Sequence, residues 1–488
     1  MIADELTFQI LQALGHAPTD DQHHAATVVA DFLAERSPNA CMVLRGAAGT
    51  GKTTLAAAIV RALTTLKQKM ILMAPTGRAA KVFSLYADTP ASTIHRRIYR
   101  QRTAGDMSSF TLGPNLSHNT LFIVDEASMI SLETTATDGD AFGSGSLLYD
   151  LVRFVYQGDG CRLMLIGDRA QLPPVGADLS PALDGGVLRS LRLDVFEADL
   201  SEVLRQSQES GVLFNATMIR RMLNDDVMAL PKMHLNGFAD IVAIQGDELI
   251  ESLSGSYSRV GIDDTIVVTR SNKRANIYNQ GIRRTILDRE DELCRGDQLM
   301  IVKNNYSHPP RHVQEGGVDD SSEGPSFLAN GDRCVVQRVR HVREMHGFRF
   351  ADVEAVMPDY DDYELSVTVM LDTLTTEAPA LTREQQEQLY KRVMDDYADL
   401  RYKADRLKAL KSDVYYNALQ IKYGYAVTCH KAQGGQWAHV YIDQGYMTDD
   451  MLTPDYLHWL YTALTRATDK VFLVNWPKTQ SDLGQNAV

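Results

Sequence analysis

The sequence predicts an α/β protein with two sets of alternating strands and helices, and three observations carry that prediction. Residues 46–54 (GAAGTGKTT) form a phosphate-binding loop between an apolar run at 40–44 and a helix-forming run at 55–63. That is the strand–turn–helix order the G-x-x-x-x-G-K-[ST] pattern requires. A second apolar run at 121–124 ends in paired acids, Asp125 and Glu126, as the other half of a nucleotide site should. A further alternation starts at residue 264 and closes at 470–474 without a second phosphate loop.

In chain order, residues 18–22 (PTDDQ) open a helix over 23–33 with Thr19 or Asp20 as its N-cap. Gln22 is suited to reading an adenine edge, and a solvated cap is the alternative. In the loop itself, Gly46, Gly49 and Gly51 let backbone N–H groups turn inward around phosphate oxygens, flanked by Thr50 and Thr54. The following helix N-terminus adds partial positive charge at the same place. Lys52 would reach the β- and γ-phosphates, and the Thr53 hydroxyl would ligate Mg²⁺.

The strand at 70–76 runs into 76–81 (TGRAAK), which begins another helix. Open α/β sheets bind ligands beyond the carboxyl ends of their strands, so Thr76, Arg78 and Lys81 are candidates for a phosphate backbone. A purely structural turn is the competing reading. After 92–95 (STIH), residues 96–120 read as a hairpin excursion: RRIYR at 96–100, a turn at 103–106, and a return strand over 107–112, with Met107 and Phe110 as tip residues. Basic residues interleaved with Tyr99 and Phe110 suit a single strand or a fork, because a base stacked on an aromatic ring contributes roughly 1–3 kcal/mol. An ordinary surface hairpin is the alternative.

Asp125 is expected to hold Mg²⁺, directly or through water, and Glu126 to polarise the attacking water. Residues 131–146, rich in Gly, Ser, Thr and Asp, read as a flexible insertion before a helix over 147–156. The strand at 162–168 leads into RAQLPPVG, where Gln171 would sense a γ-phosphate, and Arg205 in LSEVLRQ is a candidate charge stabiliser. In the second set, strands fall at 264–269, 425–428, 440–442 and 470–474. Between these pieces, alternating runs at 333–339, 348–356 and 364–371 predict a small β module, and 383–410 a charged helical arm. The expected division is therefore a first domain over 1–205 carrying the 96–120 insertion, a second over 206–332 and 416–488, and an inserted module over 333–415.

A chain of 488 residues with 44% hydrophobic and 23% charged residues is long enough for several cores. Its net charge of −14 argues against indiscriminate nucleic-acid binding. Screening over roughly 8 Å at physiological salt still permits a basic groove on one domain beside acidic faces elsewhere. The five cysteines have no C-x-x-C pairing, which suggests a reduced, cytoplasmic setting, and no signal peptide or membrane span is expected.

Taken in order, the motifs GAAGTGKTT, APTGRAAK, STIH, VDEAS, GDRAQLPPVG, LSEVLRQ, YAVTCHKAQGGQW and YTALTRA resemble motifs I, Ia, Ib, II, III, IV, V and VI of the superfamily 1 helicases. The resemblance is to the 5′-to-3′ branch, superfamily 1B, that includes RecD-like proteins and the phage Dda helicase, and Asn330-Gly331-Asp332 is similar to its NGD element. It implies two RecA-like domains clamping Mg²⁺-ATP, with single-stranded DNA crossing both. Lys52, Thr53, Asp125, Glu126 and Gln171 would come from the first domain, Arg466 from the second, and Arg205 would stand beside them. Gln22 would match the adenine-reading glutamine.

On the DNA side the resemblance implies Thr76, His95, Thr428, His430 and Lys431, with Tyr306 as a stacking candidate. Residues 96–120 would be the separation pin and 333–415 the small β-barrel insertion. The chain departs from the family at Ala432 and Gln436, where Ser and Glu are common, and Gln436 would take the nucleotide ribose. The implied activity is 5′-to-3′ translocation with duplex unwinding by a monomer at single-strand/duplex junctions. Protein displacement with little unwinding, or an RNA track, are alternatives within the same class. A scaffold with a disused ATPase and a small-molecule kinase are alternatives outside it.

Overall fold

The computed structural model describes residues 2–101, 110–132, 143–202, 209–305 and 327–482. In its first half, β1 (Ala40–Gly46), β2 (Lys69–Ala74) and β3 (Ala91–Thr93) are followed by a hairpin of β4 (Tyr99–Gln101) and β5 (Phe110–Leu112). Then come β6 (Thr120–Val124), β7 (Arg162–Gly167) and β8 (Asp194–Leu200). The hairpin pairs Tyr99 with Leu112 in antiparallel register. The other six strands form one parallel sheet in the order β3-β2-β6-β7-β1-β8.

β1 and β6 are buried at every position, as strands covered by helices on both faces must be. Alternate residues feed two cores: Met42 and Leu44 meet Phe32, Leu55 and Ile59 on one face, while Val43 meets Phe122, Leu151 and Leu165 on the other. Because all six strands run parallel, their carboxyl ends lie along one edge. That edge receives the phosphate loop after β1, Thr76 after β2, Asp125 after β6 and Asp168 after β7.

The second half holds β9 (Ile241–Ile244) and β10 (Thr265–Thr269), then β11 (Gln298–Ile301), β12 (Arg333–Met345), β13 (Phe348–Met357), β14 (Tyr363–Met370) and β15 (Leu419–Tyr423). It ends with β16 (Ala426–Thr428), β17 (Trp437–Asp443) and β18 (Ala467–Val474). A five-stranded parallel sheet has the order β16-β10-β17-β18-β9, and β11 to β15 close a barrel. The fold is thus the α/β pair of parallel-sheet domains, with a barrel in the second, that the sequence predicts.

Two details lie beyond that prediction. The barrel's outer members, β11 and β15, stand on either side of the 333–415 segment expected to hold it. The four-residue β9 carries too short an apolar run to be read as a strand. One apolar cluster runs from Leu299, Val353 and Leu419 in the barrel to Val267 and Tyr441 in the sheet, so barrel and sheet share a core. The charged arm is two helices, Arg383–Asp396 and Lys403–Lys411. Their Leu389, Val393 and Leu410 pack against Phe348 and Phe350 of the barrel. All five cysteines are free thiols, and among the described residues no helix is long and apolar enough to cross a membrane.

Candidate active site and nucleic-acid interface

The phosphate loop takes its shape from its glycines. Gly49 and Gly51 sit at φ +77° and +76°, a region that side chains with a Cβ rarely adopt. A Cβ on Gly46 would lie 3.0 Å from Lys52 Cβ and 3.2 Å from Leu200 Cβ. Thr50 is buried and its hydroxyl donates to the Ala47 carbonyl at 2.8 Å. Behind the loop, the helix expected over 23–33 runs Asp20–Ala34 and is closed by a capping box between Thr19 and Gln22. Gln22 is buried. Its Nε2 donates to the Thr50 carbonyl at 3.2 Å, and its Oε1 accepts from the Thr19 N–H at 3.2 Å. The amide therefore braces the loop from outside the cavity wall. Gly49, Gly51, Lys52, Thr53 and Thr54 line a cavity of about 420 Å³.

Asp125 and Glu126 face the same cavity. Asp125 accepts the Tyr86 hydroxyl on one oxygen and the Glu126 N–H on the other at 2.8 Å. Burial pushes the Asp125 carboxyl above its usual range, and Lys52 opposes that shift. Glu126 is held at φ +52°, left-handed backbone that is uncommon for a residue with a side chain.

Arg466 reaches the cavity from the second sheet. Its Nη1 lies 3.7 Å from Glu126 Oε1. Gln171 stands between them: oriented to satisfy both neighbours, its amide donates to Glu126 Oε2 at 3.1 Å and accepts from Arg466 Nη2 at 3.1 Å. Arg466 is itself buried and anchored on the Thr462 carbonyl at 3.1 Å and the Gly435 carbonyl at 3.3 Å. Gln436 lines the same cavity.

The helix Pro454–Leu464 stitches the two halves together. Thr462 accepts the Leu172 N–H at 2.8 Å. The Tyr461 hydroxyl donates to Asp168 and accepts from the Ala48 N–H of the phosphate loop. Nearby, Gln433 donates to the Leu172 carbonyl at 2.7 Å.

A second cavity, of about 290 Å³, is walled by Thr76, Arg78, Asn330, His430, Lys431 and Trp437. Lys431 donates to the Asn330 side-chain carbonyl. The Arg78 guanidinium lies 4.0 Å over the Trp437 ring and donates to the Gln436 carbonyl at 2.5 Å. Burial, together with the like charge of Arg333, lowers its pKa to about 9, which leaves it cationic at neutral pH. Arg78 and Lys431 bring two cations to this groove, the charge that a phosphate chain requires.

An AAA domain model matches residues 19–220, and a UvrD-like helicase C-terminal domain model matches residues 423–474. The chain is 31% identical over 461 residues to the ATP-dependent RecD2 DNA helicase of Deinococcus radiodurans, covering 91% of this chain and 48% of that protein. It is 24% identical over 290 residues to the ATP-dependent DNA helicase dda of Enterobacteria phage T4, covering 58% of this chain and 60% of dda. The chain is thus similar in sequence to two ATP-dependent DNA helicases, with an AAA-type first half and a UvrD-like helicase segment near its end. It spans about half the length of the RecD2 relative. Among solved structures, a Pif1 helicase from Bacteroides in complex with ADP-AlF3 and ssDNA aligns over 95% of this chain and 94% of its own, at 15% identity and a TM-score of 0.46.

Of the DNA residues that the resemblance implies, Thr76, His430 and Lys431 come together in the smaller cavity. Thr428 stands at the N-cap position of the helix Cys429–Ala432 without a side-chain capping bond, outside that wall. His95 packs near the rings of Tyr99 and Phe327 instead, and burial pulls its imidazole down to about 4. Arg205, Tyr306 and Met107 lie outside the described residues, as does most of the 131–146 insertion; of Phe110 only the backbone, in β5, is described.

Sequence reasoning missed Tyr86, Asp168 and Tyr461 as site residues. Tyr461 lies inside the YTALTRA motif, five positions before Arg466, and that motif was its signal. Tyr86 had none, since its partner Asp125 is 39 positions away.

Proposed function

We propose that this protein is an ATP-dependent motor that moves 5′ to 3′ along single-stranded DNA and opens duplex ahead of it. One observation carries the reading: Arg466, from the second sheet, meets Glu126 through Gln171 inside the cavity that Lys52 and the phosphate loop also line. An arginine supplied across a cleft stabilises charge on a transferring phosphoryl group only when the cleft is closed, so hydrolysis and domain closure become one event.

The ion and nucleotide fit the residues present. No cluster of three or more His, Cys, Asp or Glu among the described residues forms a metal cage. The Thr53 hydroxyl and the Asp125 carboxylate instead suit a small hard cation held mainly by phosphate and water, as Mg²⁺ is. Mg²⁺ would neutralise charge between the β- and γ-phosphates. Lys52 would hold those phosphates, Glu126 would orient and deprotonate water, Gln171 would relay the phosphate's presence to Arg466, and Gln436 would take the ribose.

The substrate reading rests on the groove of Thr76, Arg78, His430 and Lys431 and on the DNA helicase names of the two relatives. Both sheets that the site needs come from one chain, so a monomer suffices. We read residues 96–120 as the wedge that parts the strands and the β11–β15 barrel as its neighbour in the second domain.

The test is ATP hydrolysis with and without an oligothymidylate. The expected result is strong stimulation by the oligonucleotide and none in Lys52→Ala. Hydrolysis indifferent to any nucleic acid would reject the motor and leave a plain ATPase.

A further inference from the structure

Two stretches form the partition between the nucleotide cavity and the groove, and each contributes to both. On one side, Ala79 and Val82 line the nucleotide cavity while Thr76 and Arg78 line the groove. Opposite them, Gly434 and Gln436 line the nucleotide cavity while Gln433 and Trp437 line the groove.

Glycines bring the stretches into contact. A Cβ on Gly435 would lie 2.4 Å from the Trp437 ring and 2.8 Å from Arg78 Nε, and one on Gly434 would lie 2.8 Å from Ala79 Cβ. In that close space the Arg78 guanidinium lies 4.0 Å from the centre of the Trp437 ring, a stacked cation on an indole face. Among the described residues, Nη2 alone has a hydrogen-bond acceptor, the Gln436 carbonyl. Nε and Nη1 are buried with no hydrogen-bond partner among those residues. Trp437 is joined in turn to the catalytic cleft, because its backbone N–H donates to the Arg466 carbonyl at 3.0 Å.

A contiguous path thus runs from Glu126 through Arg466 to Trp437 and Arg78, ending in the groove. Its last member is a cation held in a place that leaves two of its donors unmet. A buried donor without an acceptor favours any rearrangement that supplies one. A phosphate oxygen of a strand in the groove is such an acceptor, and reaching it requires the guanidinium to leave the indole.

We propose that Arg78 and Trp437 are the joint that couples the two sites. With the cleft closed, Arg78 is stacked on Trp437 and withdrawn from the strand; with the cleft open, it swings into the groove and takes a backbone phosphate. Arg78 is then a positioning residue whose two states differ in grip. The inference rests on the motor reading and adds to it the residue through which nucleotide state changes the hold on the track.

The test is the affinity for a fluorescein-labelled oligothymidylate, measured without nucleotide and with ADP–aluminium fluoride. In the wild type the two affinities should differ by about tenfold, a typical coupling between linked sites. Arg78→Ala should bring the ratio towards one. Arg78→Lys should do the same while keeping the charge and the fold, because an ammonium has no flat face to stack. Lys431→Ala should weaken both affinities alike and keep the ratio.

A double variant, Arg78→Lys with Trp437→Phe, should lose no more coupling than Arg78→Lys alone, as expected for two residues acting as one unit. A wild-type ratio near one, or a ratio retained in Arg78→Lys, overturns the joint. A wild type that binds no oligothymidylate in either state rejects the motor reading itself, which separates the two failures.

Discussion

The Tyr461 hydroxyl lies 2.6 Å from Asp168 Oδ2 and receives the Ala48 N–H at 2.8 Å. One phenol from the second domain thereby satisfies both a phosphate-loop amide and a fully buried carboxylate of the first. Burial pushes the Asp168 carboxyl upward, against the pull of Lys52 and of this hydroxyl. Removing the hydroxyl leaves the buried Asp168 carboxylate one partner short, at about 1–3 kcal/mol, and releases the half-buried Ala48 N–H. Tyr461→Phe should keep the fold, with an unchanged circular dichroism spectrum, and lower steady-state ATP turnover by about tenfold to a hundredfold.

Arg466 touches Glu126 and Gln171 but lies on a different sheet from the phosphate loop. Arg466→Ala should therefore separate binding from chemistry. Nucleotide affinity, followed with a fluorescent ADP analogue, should change little, while hydrolysis falls by about 10³-fold or more, the usual effect of losing such an arginine. Arg466→Lys should recover only part of that loss, because a point charge cannot meet both Glu126 and Gln171.

Lys431 stands in the groove wall beside His430 and Thr76. If it neutralises one backbone phosphate, Lys431→Ala should weaken single-strand binding for every sequence alike. It should also reduce the slope of log affinity against log salt by about 0.7, the contribution of one contact on single strands. Binding titrations at four salt concentrations would measure this.

Asp332 is buried beneath the barrel and accepts from the Ala329 N–H at 2.8 Å and the Tyr360 hydroxyl at 3.0 Å. Burial raises its pKa from 3.8 to about 7. Between those values the folded protein holds a proton that the unfolded chain has lost. Stability should therefore fall as pH rises from about 4 towards 7, with a slope approaching 1.4 kcal/mol per pH unit from this group, and level off above. Urea midpoints from pH 5 to pH 8 should show that slope in the wild type and a flatter profile in Asp332→Asn.

The parts of the site that were legible in the sequence are those whose chemistry forces a local pattern. Glycines at 46, 49 and 51 are required by positive φ and by close contacts, and acids at 125 and 126 end a strand that must be apolar to be buried on both faces. Arg466 was legible through its motif. The contacts that make these pieces one site were not, since Tyr461 to Ala48 and Arg78 to Trp437 each span several hundred residues and leave no periodic trace. The barrel's span was only half legible: β12 to β14 alternate clearly, whereas the short β11 and β15 are recognisable only by their pairing with each other and with the longer strands. Burial of Gln22 against Thr50 excludes the solvated cap, and that contact, 28 positions away, is not visible in the local capping pattern.

The most direct measurement of the central claim is strand separation on two partial duplexes, one with a 5′ single-stranded tail and one with a 3′ tail, in Mg²⁺-ATP with Lys52→Ala as the blank. The account predicts opening of the 5′-tailed duplex alone. Opening of the 3′-tailed duplex alone would contradict the direction, and opening of neither, with DNA-stimulated hydrolysis intact, would contradict unwinding and leave a translocase.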